Sequence, residues 1–523
     1  MKNIYLLDCT LRDGGYINDW NFGEEAIRGI CRKLELTGIE IIEIGFMRGD
    51  TYNPQYSLFP DAESMKNIIT PKKKECMYVA MLDMSDPVPL ERIQPYDGTS
   101  IDGIRVIFKK DKIEEAYTYC EKIQALGYKL FVNFVGTDNY SDIEFVEGIN
   151  KFNKMMPYGI AIVDSFGLIK RKQFLRYAYL ADNNMEENII LCYHAHNNLQ
   201  QAFGNAEALV EMNLRRKICI DACVYGMGRG AGNLNLELFA EHLNENYGTQ
   251  YRIEPMLEIM DEYLNEIHQT RYWGYSLPLY LSAATGCHPN YSIYFEEKGT
   301  LSVKSFNELL KSIPEKEKAV FSKERAEKYY KEYQENFVDD KETLEKLKVL
   351  TERPILILAP GHSLKEYKTI IEDKICEMNP IVISINFEGY PFKAEYVFCS
   401  NMRKFSKIKE EYKKKCIITS NIKKHYDTSI VINFSSYTSR REEIVDNAGI
   451  MLLNLLITLG VKEVTIAGMD GYMLNNISNY YEEKRSNGKM EIEEIRNVLV
   501  SEELSEIKKV LNMKFLTPTM YKL

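Results

Sequence analysis

His194 and His196 stand one residue apart in Tyr193-His194-Ala195-His196-Asn197-Asn198, directly after the apolar run Asn188 to Cys192. Side chains alternate along a strand, so both imidazoles project to one side at its end. That spacing suits chelation of a transition metal, and carboxylate or Asn oxygens would complete a borderline coordination sphere. The same pair would also suit a polar pocket without an ion. The clusters Asp8-Cys9-Thr10-Leu11-Arg12-Asp13-Gly14-Gly15-Tyr16 and Gly226-Met227-Gly228-Arg229-Gly230-Ala231-Gly232-Asn233 offer carboxylate and carboxamide oxygens if the fold gathers them. Asp, His, His and Asn at one mouth would hold Mg2+, Mn2+, Co2+ or Zn2+ with positions left for substrate oxygens.

The elements that would gather them are legible. From Met1 to about Phe239 eight short apolar runs alternate with amphipathic segments: Ile4 to Asp8, Ile39 to Gly45, Met77 to Leu82, Ile104 to Ile107, Leu130 to Phe134, Ile160 to Val163, Asn188 to Tyr193 and Ile218 to Val224. Helical spacing marks Glu24 to Leu36, Lys112 to Leu126, Asp142 to Lys154, Lys170 to Ala181 and Leu199 to Met212. The link between the third and fourth runs, with Pro87, Pro89 and Pro95, reads as loop. Strands buried on both faces and alternating with helices predict a parallel sheet, and eight of them predict a closed TIM (β/α)8 barrel. In such a barrel chemistry sits at the carboxyl ends of strands, and the polar clusters fall there.

Met1 to about Asn290 resembles the metal-dependent lyase and synthase superfamily that includes 4-hydroxy-2-oxovalerate aldolase, hydroxymethylglutaryl-CoA lyase and isopropylmalate synthase. The motifs that carry the resemblance are DCTLRDGG, IEIGF, VDSFG, HAHNN and GMGRGAGN. It implies a divalent metal held by Asp13, His194, His196 and Asn233, and an Arg12 that stabilises an enolate oxygen. It further implies a 2-oxo acid substrate, an aldehyde acceptor, and a helical segment after the barrel that covers the mouth and lends a tyrosine acid, Tyr275 or Tyr280. The chain departs from the aldolases at Tyr16, where they carry a catalytic histidine. Tyr16 either takes over proton transfer, its pKa lowered by Arg12 or the metal, or lines the pocket. Glu43 and Asp164 either orient a ligand or belong to a buried network satisfied by Arg105. Gly228 and Gly230 either offer amides to a substrate anion or make a tight strand-to-helix turn.

Residues 246–350 read as a helical lid and connector, with Glu254 to His268 and Ser322 to Asn336 helical and the charged stretch from Glu315 to Lys348 exposed. A second α/β unit, 351–523, opens on Arg353 to Leu364, where a strand runs into Pro-Gly-x-Ser and then a helix. It resembles the Rossmann-like domains of bacterial sialyltransferases through Gly361-His362-Ser363-Leu364, Ser384-Ile385-Asn386 and Gly468-Met469-Asp470. Gly361, Ser363, Asn386 and Asp470 would then contact a nucleotide or nucleotide-sugar, and the pair of domains would suit synthesis of a surface-glycan unit. The expected architecture is α/β throughout: the barrel over 1–245, its helical extension, and the Rossmann-like domain.

Composition narrows the classes. Of 523 residues 45% are hydrophobic and 27% charged, an ordinary globular mixture, and the net charge of −10 argues against nucleic-acid binding. No apolar run is long enough for a membrane span to be expected, and the N-terminus enters a strand pattern at once, so no signal peptide is expected. Eleven scattered cysteines without Cys-x-x-Cys pairs fit reduced thiols and a cytoplasmic setting, and a homo-oligomer is expected as well. A CoA-dependent Claisen enzyme is the rival reaction, and a degenerate scaffold the rival class.

Overall fold

The computed structural model describes residues 4–335, 337–423, 430–472 and 490–522, which form two compact units, Met1–Ser292 and Ile293–Leu523. In the first, β1 (Ile4–Asp8), β2 (Ile41–Met47), a two-residue β3 (Leu58–Phe59), β4 (Met77–Asp83), β5 (Gly103–Phe108), β6 (Lys129–Phe134), β7 (Gly159–Asp164), β8 (Ile190–Ala195) and β9 (Ile218–Ala222) are all parallel. The order β1-β9-β8-β7-β6-β5-β4-β2 closes through pairing of β1 with β2, with Leu7 opposite Ile41, and β3 flanks β2. The eight expected runs are the eight barrel strands. The helices Glu24–Thr37, Ile113–Ala125, Asp142–Asn153, Arg171–Asn184 and Ala202–Glu211 match the amphipathic segments. Sequence reasoning missed Ala62–Ile69, two turns long and too short for periodicity to register.

The strand period of two sorts the barrel interior into layers. Leu7, Ile41, Val79, Phe131, Ala161, Cys192 and Cys219 form an apolar layer. Two residues further along four of those strands, toward their carboxyl ends, come Glu43, Asn133, His194 and Asp221, joined by Arg105 from β5. An apolar floor therefore carries a charged layer, and the larger core lies between strands and helices.

Asp8 ends β1 fully buried, accepting hydrogen bonds from the amide and hydroxyl of Thr10 at 3.1 and 2.6 Å. Burial outweighs those bonds and raises its pKa to about 7. A carboxyl that is more basic folded than unfolded adds stability in full at low pH and loses it as pH rises through the folded value, so stability should fall by about 1.4 kcal/mol per pH unit across this window. Urea midpoints between pH 5 and pH 6.5 should therefore decline more steeply for the native chain than for Asp8→Asn.

Beyond β9, Glu254–Ile259, a π turn at Met260–Leu264 and Asn265–Thr270 run as one helical segment, and Leu277–Thr285 follows. In the second unit β10 (Ile355–Leu358), β11 (Ile381–Ile385), β12 (Tyr396–Cys399), β13 (Cys416–Thr419), β14 (Val431–Ile432), β15 (Glu463–Ala467) and β16 (Asn512–Phe515) form a parallel sheet in the order β14-β13-β12-β11-β10-β15-β16. The chain builds four strands to one side of β10 and then two to the other, so the switch point lies between β10 and β15. Strand β16 escaped the sequence reading because its pattern, Asn-Met-Lys-Phe, is half polar, as suits a sheet edge. The stretch from Glu315 to Lys348, expected to be exposed, holds helix Lys323–Gln334 with Glu327 and Tyr330 buried, where Lys298 neutralises Glu327 at 2.7 Å. No helix among the described residues is long and apolar enough to cross a membrane.

Candidate metal centre

Asp13, His194 and His196 come together at the carboxyl end of the barrel, all buried, with one ligand atom of each within 4.8 Å of the others. Strand β8 carries His194 and His196 follows its end, and Asp13 ends the short helix Thr10–Asp13 that follows β1. His194 Nε2 lies 3.5 Å from Asp13 Oδ2, and His196 Nε2 lies 3.9 Å from Asp13 Oδ1. The other ring nitrogens face away. His194 Nδ1 is 3.1 Å from Asp221 Oδ2, and His196 Nδ1 is 3.2 Å from the Arg229 carbonyl oxygen. The Nδ1 contact of His196 orients its ring, and both histidines keep Nε2 toward Asp13, where an ion would sit.

Burial alone would raise the Asp13 carboxyl, yet Arg12 above all, then the two imidazoles, hold it well below the usual range. Burial and neighbouring cations push His196 down to about 3, so it is neutral, the form that ligates. For His194 burial is outweighed by Asp13, Asp221 and Cys9, which raise it well above the ordinary value. Carboxylates thus gather around a centre where a cation is favoured.

The ion pairs extend inward. Arg12 Nε donates to Glu43 Oε2 at 2.7 Å and its NH1 to Asp13, while NH2 is buried with no partner among the described residues. Arg105 NH1 lies 3.1 Å from the same Glu43 oxygen, and its NH2 bonds Asp221. Removing one member of such a buried chain would leave an uncompensated charge costing about 3–5 kcal/mol. Asn233 Nδ2 donates to Asp13 Oδ1 at 3.0 Å and to the Met227 carbonyl at 3.2 Å, and its buried Oδ1 has no partner among the described residues. Main-chain pairing of His196 with Asn233, and the Asn197 amide on Gly232 O at 2.8 Å, lock the two loops together.

A search of protein families matches residues 3–261 to the HMGL-like family. Residues 3–261 belong to the HMGL-like family. A 4-hydroxy-2-oxovalerate aldolase from Moorella thermoacetica is 24% identical over 274 residues, covering 51% of this chain and 78% of that protein. An oxaloacetate decarboxylase from Mycobacterium tuberculosis is 23% identical over 234 residues, 44% of this chain and 67% of that protein. The N-terminal domain of a putative aldolase from Bacteroides vulgatus superposes with a TM-score of 0.49 at 23% identity, covering 57% of this chain and 98% of that one.

Around the HMGL-like centre the remaining sequence candidates take distinct places. A Cβ on Gly228 would fall 2.2 Å from Asn233 Nδ2 and 2.9 Å from Asp13 Oδ1, so the loop can pass the cluster only as glycine. Gly228→Ala should displace both side chains and lower metal affinity about 10- to 100-fold, read by metal content after dialysis against a chelator of graded strength. Gly230 has φ +68 and packs on Asn198, whose Oδ1 accepts the Ala231 amide at 2.9 Å. Asp164 turns to the amides of Leu168 and Ile169 at 2.8 and 3.0 Å, shaping the loop after β7, and burial raises its pKa to about 7.

Tyr16 sits at the rim, its ring 4.8 Å from that of Trp20. The sequence allowed a cation to lower its pKa, but burial of the phenol raises it and Arg229 offsets only part. Tyr275 and Tyr280 are 54% and 41% exposed, and their ring contact is with each other, at 6.3 Å. Sequence reasoning passed over His288, whose ring meets Phe166 at 4.8 Å and whose pKa falls to about 3 through burial, Arg229 and Lys109. It also noted Asp221 without a role. The signal for Asp221 was its place two residues after Cys219 on an inward-facing row.

In the second unit Gly361, Ser363 and Asp470 meet at the switch point between β10 and β15. The Ser363 amide donates to Asp470 Oδ2 at 2.8 Å, its hydroxyl to Oδ1, and the Gly361 amide to Gly468 O at 2.9 Å. These amides are bonded within the protein itself. Asn386, at φ +64 after β11, has a buried Oδ1 with no partner among the described residues.

Proposed function

We propose that the barrel is a divalent-metal-dependent carbon–carbon lyase of the aldolase type, acting on a small 2-oxo acid that enolises during bond cleavage or formation. The observation that carries this reading is the buried convergence of Asp13, His194 and His196 beside an Arg12 with one unsatisfied NH2. The unpartnered Asn233 Oδ1, the neutral His196 and the depressed Asp13 fit a hard or borderline ion such as Mn2+, Mg2+, Co2+ or Zn2+. Bound there, such an ion supplies Lewis acidity toward the substrate's carbonyl and carboxylate oxygens.

The chain's own groups do the rest. Arg12 is held by Glu43 and Asp13, leaving NH2 to donate to the oxygen that gains negative charge on enolisation. Asn233 steadies Asp13, and Glu43, Arg105 and Asp221 brace Arg12 and His194 from below. With its pKa raised, Tyr16 keeps its proton at neutral pH and serves as a hydrogen-bond donor at the rim. The test is cleavage of 4-hydroxy-2-oxo acids, with released pyruvate read through lactate dehydrogenase. Chelator-stripped protein should be inactive and recover with Mn2+, whereas no release with any of the four ions would overturn the reading.

For the second unit we favour a nucleotide or nucleotide-sugar at the β10–β15 switch point, contacted by side chains of Asp470 and Asn386. Calorimetry with CMP and a CMP-sugar tests it, and absence of heat for both removes the role. The eleven free cysteines support a reducing, cytoplasmic setting.

A further inference from the structure

Arg229 stands between Gly228 and Gly230 in the loop that carries Asn233. Its carbonyl oxygen orients His196, and its side chain does something separate. The guanidinium lies over the Tyr16 ring at 5.3 Å and the Phe166 ring at 5.6 Å, and one NH2 donates to the Ser165 carbonyl at 3.2 Å. Two aromatic faces and a carbonyl fix a planar cation at the mouth at little entropic cost.

Three inner carboxylates are paired with other arginines: Asp13 with Arg12, Glu43 with Arg12 and Arg105, Asp221 with Arg105. Arg229 is different. Among the described residues it has no carboxylate within 4.0 Å, although it is half-buried and its charge bears on His196, Tyr16 and His288. A half-buried guanidinium without a counter-ion is partly desolvated, and its fork matches a carboxylate or phosphate. Arg12 already faces the 2-oxo acid, so the anion that Arg229 would take belongs to the other reactant.

We propose that Arg229 is a specificity-determining residue that selects an acceptor aldehyde bearing a carboxylate or phosphate group. The inference rests on the lyase reading. In the synthetic direction a proton leaves the methyl carbon of the 2-oxo acid, that carbon's electron pair bonds the aldehyde carbon, and the aldehyde oxygen takes up a proton. Cleavage reverses these steps, and nothing is oxidised or reduced.

Paired acceptors test it: succinic semialdehyde against n-butanal, and glyceraldehyde 3-phosphate against glyceraldehyde, each with pyruvate and Mn2+-loaded protein. The native chain should prefer the charged member of at least one pair by about 30- to 100-fold in kcat/KM, the range of a charged hydrogen bond. Which pair shows it identifies carboxylate or phosphate. Arg229→Met should reduce that preference to about fivefold or less, mainly through KM, and Arg229→Lys should keep part of it. Equal use of charged and neutral aldehydes by the native chain, or a preference that survives in Arg229→Met, would overturn the proposal. If no aldehyde turns over, calorimetry with the same four compounds decides. Tighter binding of a charged member, lost in Arg229→Met, supports the anion site even where the lyase reading has failed. Equal binding by both proteins refutes it.

Discussion

Replacing His196 by alanine is expected to abolish stable metal binding and lower carbon–carbon lyase activity by about a thousandfold or more, since Lewis acidity of several kcal/mol is lost with the ion. His196 is the better target of the two histidines. Its Nδ1 meets only a main-chain carbonyl, whereas His194 Nδ1 faces Asp221 in the buried ion chain. His196→Ala should therefore cost about 1–3 kcal/mol of stability, the penalty of one unsatisfied buried carbonyl, and leave the barrel folded. Metal content by elemental analysis, turnover, and a urea midpoint on the same preparation check the three parts together.

The second large effect belongs to Arg12. Its guanidinium makes two directed contacts, with Glu43 and Asp13, and holds a third donor without a partner. A lysine carries the charge but cannot hold all three directions at once. Arg12→Lys should lower kcat by about 100- to 1,000-fold, the size seen when one preorganised donor to a developing oxyanion is removed. Metal content should be unchanged, because Asp13, His194 and His196 remain. That combination, chemistry lost and ion retained, separates Arg12 from the ligands. Arg12→Met would add a folding penalty by leaving Asp13 and part of Glu43 uncompensated, so lysine gives the cleaner measurement.

The strands were legible because burial on both faces leaves short, nearly continuous apolar runs, and the metal histidines because a period of two is a local rule. What a local rule cannot give is partnership across the barrel. Glu43, Arg105 and Asp221 come from β2, β5 and β9, and only the closed sheet turns three isolated charges into one chain. Asn233 is expected as an oxygen ligand, and the Met227 carbonyl and Cys223 sulfur, each 3.2 Å from its Nδ2, decide that Oδ1 is the end left without a partner among the described residues. Asp164 shares the charged rim in sequence, yet two loop amides capture it. The resemblance implies a tyrosine acid at Tyr275 or Tyr280 without fixing which ring turns to the mouth, and both rings are exposed. His288, which no strand-end rule marks, meets Phe166.

This barrel should enolise a 2-oxo acid at the Asp13, His194 and His196 centre with Arg12 beside it. Incubating Mn2+-loaded protein with pyruvate in D2O, stripping the paramagnetic ion, and following the methyl protons by NMR measures that step without any acceptor. Exchange should stop with EDTA and in His196→Ala and be slowed about 100-fold or more in Arg12→Lys. Methyl protons that stay unexchanged with Mn2+, Mg2+, Co2+ and Zn2+ alike, or that exchange equally well in His196→Ala, would contradict it.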